Sequence, residues 1–287
     1  MSETDGEKKK QPVIRVEKYN GVSTIWLNRP EKKNAMSPEL HEAMDRTLVE
    51  LEEDPDTKIV IIRGAGGNYS AGQDLKEFFR GMENNPLQAK RMAATANRWR
   101  WDRLYNYDKP TISVIEGYCV GGAFMQLLAT DFAVAADNAQ FSLAEVNWGI
   151  LPGALVGKVV ADAVLYRHAL YHACMGDAFD AREATRIGII NYAVPPDKLE
   201  ADVDRLCQKL MKKSPAVLRA TKQAMRHVRT MTFDQAYDYL LAKNVAIRVD
   251  DPEQSYKTGL SQFIDKKAYK PAHGPFPLGT LLTHDKK

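Results

Sequence analysis

One carboxylate and two glycine-containing loops give the clearest chemical signal in this sequence of 287 residues. Gly121-Gly122 stands where a loop leads into a helical segment, so its NH groups lack helical partners and lie at the positive end of a helix dipole. Glycine also lets a ligand approach the main chain closely. Such NH groups can hold an oxyanion, and the NH of Gln73 would supply a second donor. Taken alone, the dipeptide also fits a helix-packing turn.

Glu145 is the candidate acid/base. It lies among the apolar residues Leu143, Val146 and Trp148, and apolar surroundings remove water from a carboxylate and raise its pKa. A raised pKa suits general acid/base chemistry near neutral pH. The alternative for a single glutamate is an exposed carboxylate on a strand or loop.

The segments that must position these groups begin with a hairpin and a helix. Residues 13–16 and 22–27 are rich in strand-forming side chains and flank Asn20-Gly21, a dipeptide that favours a tight hairpin turn. Ser37-Pro38 combines a helix N-cap with a proline at the first helical position, and apolar residues follow at helical spacing. We therefore predict an opening hairpin and then an amphipathic helix.

The middle of the chain predicts alternating strands and helices. Residues 58–63 form a short apolar run typical of a strand buried on both faces, and the glycines after it mark a loop. Residues 111–115 repeat this pattern. We predict a turn at 117–122, a helix at 123–130 and another strand at 132–136. This order indicates an α/β fold.

The last part of the chain loses the strand signal, and helical periodicity dominates. Ser214-Pro215, for example, predicts the start of a helix. We divide the chain into a disordered lead-in at 1–12, a core at 13–205, a C-terminal helical region at 206–270 and an irregular tail at 271–287.

Composition and charge argue against several classes of protein. The 40 basic and 37 acidic residues give a net charge of +3 and are spread along the chain, so nucleic acid is not indicated as a partner. No stretch approaches the ~20 apolar residues of a membrane-spanning helix, and the polar N-terminus lacks the apolar run of a signal peptide. Three widely spaced cysteines indicate reduced thiols. We therefore expect a cytoplasmic protein without membrane contact.

Three segments, in their order and spacing, resemble the crotonase (enoyl-CoA hydratase/isomerase) superfamily: residues 70–75, 117–124 and 144–153. Residues 28–36 resemble the loop that lies against CoA in that family. The resemblance implies a core built as a spiral of ββα units, and C-terminal helices that form a homotrimer or a dimer of trimers. It also implies an acyl-CoA substrate and no cofactor beyond the CoA moiety of that substrate.

A closer likeness is to the hydroxycinnamoyl-CoA (feruloyl-CoA) hydratase-lyases, and it is carried by residues 74–80, 99–101, 117–124, 145–149 and 238–243. This likeness places the acid/base glutamate at Glu145 and the oxyanion donors at the NH groups of Gln73 and Gly122. The first of the two glutamates of simple hydratases aligns with Met125. The single remaining carboxylate favours hydration of an enoyl thioester followed by retro-aldol cleavage to an aldehyde and acetyl-CoA.

By the same likeness we assign the residues around the substrate. The predicted CoA-binding residues are Arg29, Lys32, Ala35, Ala71, Asp74 and Leu75. Arg29 and Lys32 suit phosphate contacts, although a solvated basic loop is the alternative. The predicted acyl-pocket residues are Phe78, Trp101, Met125, Trp148, Tyr239 and Leu241.

The predicted acyl pocket departs from the hydroxycinnamoyl family at two tyrosines. The tyrosines of that family align here with Phe78 and Leu241, and losing both hydroxyls argues against a para-hydroxylated substrate. Tyr237 and Tyr239 are the candidate replacements, and packing on its helix is the alternative role for Tyr239.

Two other functions stay open. The first is a simple enoyl-CoA hydratase or isomerase without carbon–carbon cleavage, and the more distant one is a crotonase-fold protein that binds RNA. His168 and His172 lie one helical turn apart, but no third ligand accompanies them, so we expect no metal site.

Overall fold

The protein is represented by a computed structural model that describes residues 11–267. The predicted tail at 271–287, and all but two residues of the predicted lead-in at 1–12, lie outside the described residues. The strands are β1 (Ile14–Tyr19), β2 (Val22–Leu27), β3 (Ile59–Gly64), β4 (Thr111–Ile115), β5 (Tyr118–Val120), β6 (Phe132–Ala136), β7 (Gln140–Ser142), β8 (Phe179–Asp180) and β9 (Tyr192–Val194). The α-helices are α1 (Pro38–Glu53), α2 (Pro86–Asn97), α3 (Ala123–Ala129), α4 (Val156–Ala163), α5 (Tyr166–Met175), α6 (Ala181–Ile187), α7 (Leu199–Met211), α8 (Pro215–His227), α9 (Phe233–Asp250) and α10 (Ser255–Leu260).

These strands form two sheets. The larger has the order β1-β2-β3-β4-β6-β9, and all its pairs are parallel except the β1–β2 hairpin. The smaller has the order β5-β7-β8. Asn20 and Gly21 join β1 to β2 with φ values of 46° and 79°, the positive values that a two-residue hairpin turn requires. The predicted hairpin is therefore confirmed.

Apolar patterning positions the strands and helices of the core. Every residue of β3 and of β4 is buried, as their short apolar runs predicted. Helix α1 begins after Ser37, whose side chain accepts a hydrogen bond from the Leu40 NH at 3.3 Å. Leu40, Met44, Leu48 and Leu51 form its buried face. The predicted amphipathic helix is thus confirmed.

The predicted turn at 117–122 contains a strand. Residues of β5 pair in parallel with those of β7, a segment that lies some twenty positions later in the chain. The prediction was wrong because three residues are too few to show a strand period, and the partner is not a sequence neighbour. The turn proper is confined to Gly121 and Gly122, immediately before α3.

Helix α7 spans the predicted boundary between the core and the C-terminal helices. Position 205/206 falls inside α7, which packs against the larger sheet through Leu199, Val203, Cys207 and Leu210. Helix α7 therefore belongs to the core because its apolar face covers one side of that sheet. The separate helical region starts at α8, where the side chain of Ser214 accepts from the Val217 NH at 3.4 Å.

The state of the cysteines and the character of the helices complete the description of the fold. Cys119, Cys174 and Cys207 form no disulfide. None of the helices within residues 11–267 combines the length and apolar character needed to cross a bilayer.

Candidate active site

A cavity of about 310 Å³ opens beside the ends of β5 and α3. Most of its wall is apolar, with a small number of polar groups. Its lining residues are Ala71, Gly72, Gln73, Leu75, Phe78, Phe79, Ala93, Ala96, Asn97, Arg100, Val120, Gly121, Gly122, Ala144, Glu145, Trp148, Ile150, Leu151, Gly153, Ala154 and Val156. An apolar cavity with a few converging polar groups is the usual form of a small-molecule site.

Backbone hydrogen bonds fix the two glycine loops beside each other. The Met36 NH donates to the Gly72 carbonyl at 2.7 Å, and the Asp74 NH donates back to the Met36 carbonyl at 3.0 Å. Ser70 forms a bridge of the same kind with Cys119 of β5. The loop at 70–74 is therefore held between the loop at 33–36 and strand β5, so its backbone direction is fixed.

Two backbone NH groups remain unused in this network. Neither the NH of Gln73 nor that of Gly122 donates a hydrogen bond within the described part of the chain. The two groups are close, because a Cβ built on Gly122 would lie 3.5 Å from the Gln73 nitrogen, and one built on Gly72 would lie 3.2 Å from the Gly122 nitrogen. Gly122 also precedes the first turn of α3. Paired NH donors at a helix start suit a carbonyl oxygen that gains negative charge.

Glu145 faces the same region. It lies in a 3-10 turn, Ala144–Trp148, and its carboxylate lies against Gly121, because a Cβ there would come within 2.9 Å of Oε1. Oε2 is buried and has no hydrogen-bond partner among residues 11–267. Burial raises the pKa of this carboxyl, as its apolar neighbours predicted. The geometry thus brings Gln73, Gly122 and Glu145 to one cavity.

The turn that carries Glu145 is held from outside. Asn147 Nδ2 donates to the Gly176 carbonyl at 2.9 Å, and Ser142 Oγ donates to the same carbonyl at 3.1 Å. The Ile150 NH donates to the Glu145 carbonyl at 3.1 Å. The carboxylate is therefore positioned by its backbone and not by a side-chain partner, which leaves its oxygens available for proton transfer.

Sequence reasoning missed a buried polar chain behind the Gln73 loop. Trp99 Nε1 donates to His41 Nδ1 at 2.9 Å, and His41 Nε2 lies 2.8 Å from Gln73 Oε1. Burial lowers the pKa of His41 to about 3, and the nearby Arg100 adds to this effect. The available signal was a histidine on the apolar face of α1, next to Leu40.

Arg100 is a second missed residue. It lies in a π-helical segment, Arg98–Leu104, and lines the cavity although it is almost fully buried. The sequence offered a signal in the position of this cation between Trp99 and Trp101, yet we predicted only Trp101 as a pocket residue. No local pattern tells which residues of a π-helix face a cavity.

The predicted CoA-binding residues divide into two groups. Ala71 and Leu75 line the cavity, and Lys32 is exposed. Arg29 is instead buried, with Nη1 3.0 Å from Asp74 Oδ2 and Nη2 2.7 Å from Glu77 Oε1.

Arg29 and Asp74 thus have structural roles here. Arg29 also donates to the Ala35 carbonyl at 2.6 Å, and Asp74 accepts from the NH groups of Lys76 and Glu77 at a helix start. Because Arg29 is buried and three of its five N–H donors are bound in these contacts, we withdraw its assignment to a CoA phosphate. Ala35 does not line the cavity within residues 11–267.

The predicted acyl-pocket residues also divide. Phe78 and Trp148 line the cavity. Trp101 does not, because it stacks on Tyr105 with ring centroids 4.2 Å apart, and Met125 is fully enclosed in the core.

Tyr239 and Leu241 lie on α9, away from the cavity wall. The Tyr239 hydroxyl is 3.0 Å from His227 Nδ1, and the Leu241 side chain is exposed. Their assignment came from an aligned sequence, whereas in this chain α9 packs against α8.

Comparisons with known proteins show the family to which the chain belongs. The chain matches the enoyl-CoA hydratase/isomerase family over residues 17–271. It is 41% identical over 259 residues to the hydroxycinnamoyl-CoA hydratase-lyase of Pseudomonas fluorescens, covering 90% of this chain and 94% of that protein. It is 32% identical over 232 residues to the carnitinyl-CoA dehydratase of Escherichia coli, covering 79% of this chain and 85% of that protein.

Solved structures of enoyl-CoA hydratases have the same fold. The crystal structure of an enoyl-CoA hydratase from Shewanella pealeana superimposes with a TM-score of 0.80 at 26% identity, covering 88% of this chain and 94% of that one. Sequence and structure thus agree over most of the length of the chain. The protein therefore belongs to the enoyl-CoA hydratase/isomerase family and has the crotonase fold that its sequence predicted.

Proposed function

We propose that this protein is an acyl-CoA hydratase-lyase. Its substrate would be an enoyl-CoA with an aryl substituent, of the hydroxycinnamoyl- or feruloyl-CoA type. The observation that carries the proposal is the meeting of two unused NH groups and one desolvated carboxylate in one apolar cavity. The 41% identity to a hydroxycinnamoyl-CoA hydratase-lyase supports the finer assignment.

The first chemical step is addition of water. The thioester oxygen accepts hydrogen bonds from the NH groups of Gln73 and Gly122, which draws electrons from the double bond. Glu145, as carboxylate, takes a proton from water while the water oxygen bonds to the β-carbon. Negative charge collects on the thioester oxygen, where each NH donor contributes ~3 kcal/mol to the transition state. Glu145 then returns the proton to the α-carbon.

The second step breaks the bond between the α- and β-carbons. Glu145, again as carboxylate, removes the proton of the β-hydroxyl group. The β-carbon becomes an aldehyde carbonyl, and the electron pair of the broken bond passes to the enolate of acetyl-CoA. The same two NH groups stabilise this enolate, and the proton on Glu145 completes acetyl-CoA at the α-carbon. One carboxylate is sufficient because the two steps use it in turn.

The CoA moiety would follow the loop at 33–36, which is bridged to the loop at 70–74. Ala71 and Leu75 line the cavity at that side. Lys32 is exposed on the neighbouring turn, and we propose that its ammonium group contacts a CoA phosphate.

The alternative is a simple hydratase. A feature that favours it is the absence of a tyrosine among the described lining residues, because a para-hydroxyl group on the substrate would then lack a phenol partner in this chain. Against it stands the single carboxylate of the cavity.

We also propose that the chain assembles as a homotrimer, alone or as a dimer of trimers, in the cytoplasm. Helices α8 and α9 contain no buried residue among those described. Their exposed apolar side chains include Val217, Met225, Phe233, Val245 and Val249, and a surface of this kind is typical of a protein interface. Light scattering after size-exclusion chromatography measures the assembly, and a monomer at micromolar concentration would contradict it.

A substrate panel tests the activity. The protein is incubated with feruloyl-, coumaroyl-, cinnamoyl- and crotonyl-CoA. Loss of the enoyl absorbance, release of aldehyde and formation of acetyl-CoA are followed together. We expect stoichiometric aldehyde and acetyl-CoA from at least one aryl substrate. Hydration without aldehyde on every substrate would support the simple hydratase, and no reaction with any of them would reject both.

A further inference from the structure

We infer that the acyl group accepted by this cavity carries a carboxylate, and that Arg100 binds it. The inference rests on the proposed function, because it names the substrate class of the same site. Arg100 has no role in the mechanism proposed above.

Arg100 is buried but has few partners. Only 2% of its surface is exposed. Nε donates to the Ala96 carbonyl at 2.8 Å, and Nη1 donates to the Gly122 carbonyl at 3.2 Å. A guanidinium group has five N–H donors, so three have no acceptor within residues 11–267. Its guanidinium also lies over the Trp99 ring, with Cζ 5.8 Å from the ring centroid.

No carboxylate neutralises this cation in the described part of the chain. Asp74 and Glu77 pair with Arg29, and Asp45 pairs with Arg98. Glu145 lines the same cavity, but the hydrogen bonds of Arg100 within residues 11–267 go to the carbonyls of Ala96 and Gly122 and not to this carboxylate. An unpaired buried charge is strongly unfavourable, and neutral carbonyls compensate it only in part.

The free donors of Arg100 lie where the acyl group of the substrate would bind. It contacts the carbonyl of Gly122, the residue whose NH points to the thioester oxygen in the proposed mechanism. It also lines the cavity together with Phe78 and Val156, which offer only apolar surface. An acyl chain entering this space meets one strong donor group. The planar guanidinium fork matches a carboxylate better than any other common acyl substituent.

A second polar group stands beside it. Asn97, one turn earlier on the same helical stretch, also lines the cavity, and its buried Oδ1 has no hydrogen-bond partner in the described residues. Oδ1 can only accept a hydrogen bond, so the group that could share a carboxylate with Arg100 is the NH2 of the same carboxamide. The lowered pKa of Arg100, about 9, follows from burial alone, and a bound anion would raise it.

Paired substrates that differ in one charge test the inference. Glutaconyl-CoA is compared with its terminal amide, and 4-carboxycinnamoyl-CoA with 4-carbamoylcinnamoyl-CoA. We expect the wild-type protein to prefer the carboxylate in at least one pair by roughly 30- to 100-fold in kcat/KM, the range typical of a charge-assisted hydrogen bond. Arg100→Gln should remove that preference, so that the carboxylate and the amide of each pair react with equal kcat/KM.

Arg98→Gln is the matched control. Arg98 lies two positions earlier, is exposed and pairs with Asp45, so this substitution should leave the preference unchanged. Equal rates for carboxylate and amide in both pairs would overturn the inference. So would an Arg100→Gln variant that slows both members equally, because that result indicates a structural role. The comparison of carboxylate with amide in the wild-type protein tests the inference by itself, so the test remains valid even if Arg100→Gln does not fold.

Equilibrium binding separates this inference from the proposed reaction. Glutaryl-CoA and its terminal amide cannot be hydrated, and calorimetry gives their affinities without turnover. Tighter binding of glutaryl-CoA that depends on Arg100, with no turnover of any enoyl-CoA, would keep the inference and reject the hydratase-lyase. Turnover of aryl enoyl-CoA substrates without preference for a carboxylate in rate or in binding would do the reverse.

Discussion

Trp99 and His41 form a buried hydrogen bond that fixes the proton of the imidazole ring. An indole NH can only donate, so His41 Nδ1, at 2.9 Å, must be the acceptor. The proton of the neutral ring therefore lies on Nε2 and is donated to Gln73 Oε1 at 2.8 Å. Through this chain, the core helix α1 determines where the side chain of Gln73 lies, directly beside its proposed oxyanion NH.

The protonation of His41 should make stability depend on pH. Its pKa is about 3 in the folded protein against 6.5 as reference, so the unfolded state binds a proton first as the pH falls. The contribution of neutral His41 to the free energy of unfolding is fully present above pH 6.5. It is lost as the pH falls toward 3, with a slope approaching about 1.4 kcal/mol per pH unit. His41→Gln keeps both hydrogen bonds without titrating.

Urea unfolding at pH 7 and pH 5 measures this effect. We expect the wild-type protein to lose about 2 kcal/mol more than His41→Gln over this interval. Parallel losses in the two proteins would show that His41 does not titrate as its burial requires.

Glu145→Gln should abolish turnover while leaving CoA binding near normal. Loss of a general acid/base group lowers kcat by about 10²- to 10⁴-fold, and the amide keeps the shape of the side chain. Rates on the best substrate and the affinity for free CoA are measured together. A fully active variant would remove Glu145 from its proposed role.

The raised pKa of Glu145 makes stability depend on pH in the direction opposite to that caused by His41. The folded protein holds this proton more tightly than the unfolded chain, so stability falls as the pH rises through the folded pKa. Glu145→Gln should therefore be slightly more stable than wild type at neutral pH, and the difference should vanish at pH 4. A variant less stable than wild type at pH 7 would contradict the burial of an unpaired carboxyl.

Gly121→Ala should disable the site by steric contact. The added Cβ would lie 2.9 Å from Glu145 Oε1, and Gly121 has a φ of 53°. Gly67→Ala is the control, because Gly67 has a φ of 72° but nothing within 4 Å of the added atom. Both substitutions share a backbone cost of roughly 1 to 2 kcal/mol.

Activity distinguishes these two glycines. We expect at least a tenfold loss of kcat for Gly121→Ala and little change for Gly67→Ala, with similar unfolding free energies. Equal activities would mean that the carboxylate of Glu145 does not need its place against Gly121.

Arg29 and Lys32 should give opposite results when replaced by alanine. Arg29→Ala leaves buried Asp74 without its cation, and breaking such a pair typically costs about 3 to 5 kcal/mol of stability. Lys32 is exposed, so Lys32→Ala should keep stability within about 0.5 kcal/mol and weaken CoA binding. Thermal or urea unfolding and CoA titration measure both properties. Weaker CoA binding by Arg29→Ala with unchanged stability would instead indicate that Arg29 contacts a CoA phosphate.

The sequence predicted what local pattern can encode. Strand β4 and helix α1 were found because burial on two faces, or on one helical stripe, leaves a period in the chain. Glu145 was found because its apolar neighbours are adjacent in sequence. Strand β5 was not, since its pairing with β7 is decided by distant residues.

The same reason explains the missed site residues. His41 and Arg100 meet the Gln73 and Gly122 loops only after the chain has folded, across separations of 32 and 22 positions. The aligned position of Tyr239 gave no information on packing, and its helix lies away from the cavity of its own chain.

The bridge between Met36 and Gln73 connects the loop proposed to lie against CoA with the loop proposed to polarise the thioester carbonyl. Contacts to the nucleotide end of CoA should therefore also help to position the oxyanion donors. A substrate whose CoA is shortened to pantetheine should consequently react more slowly as well as bind more weakly.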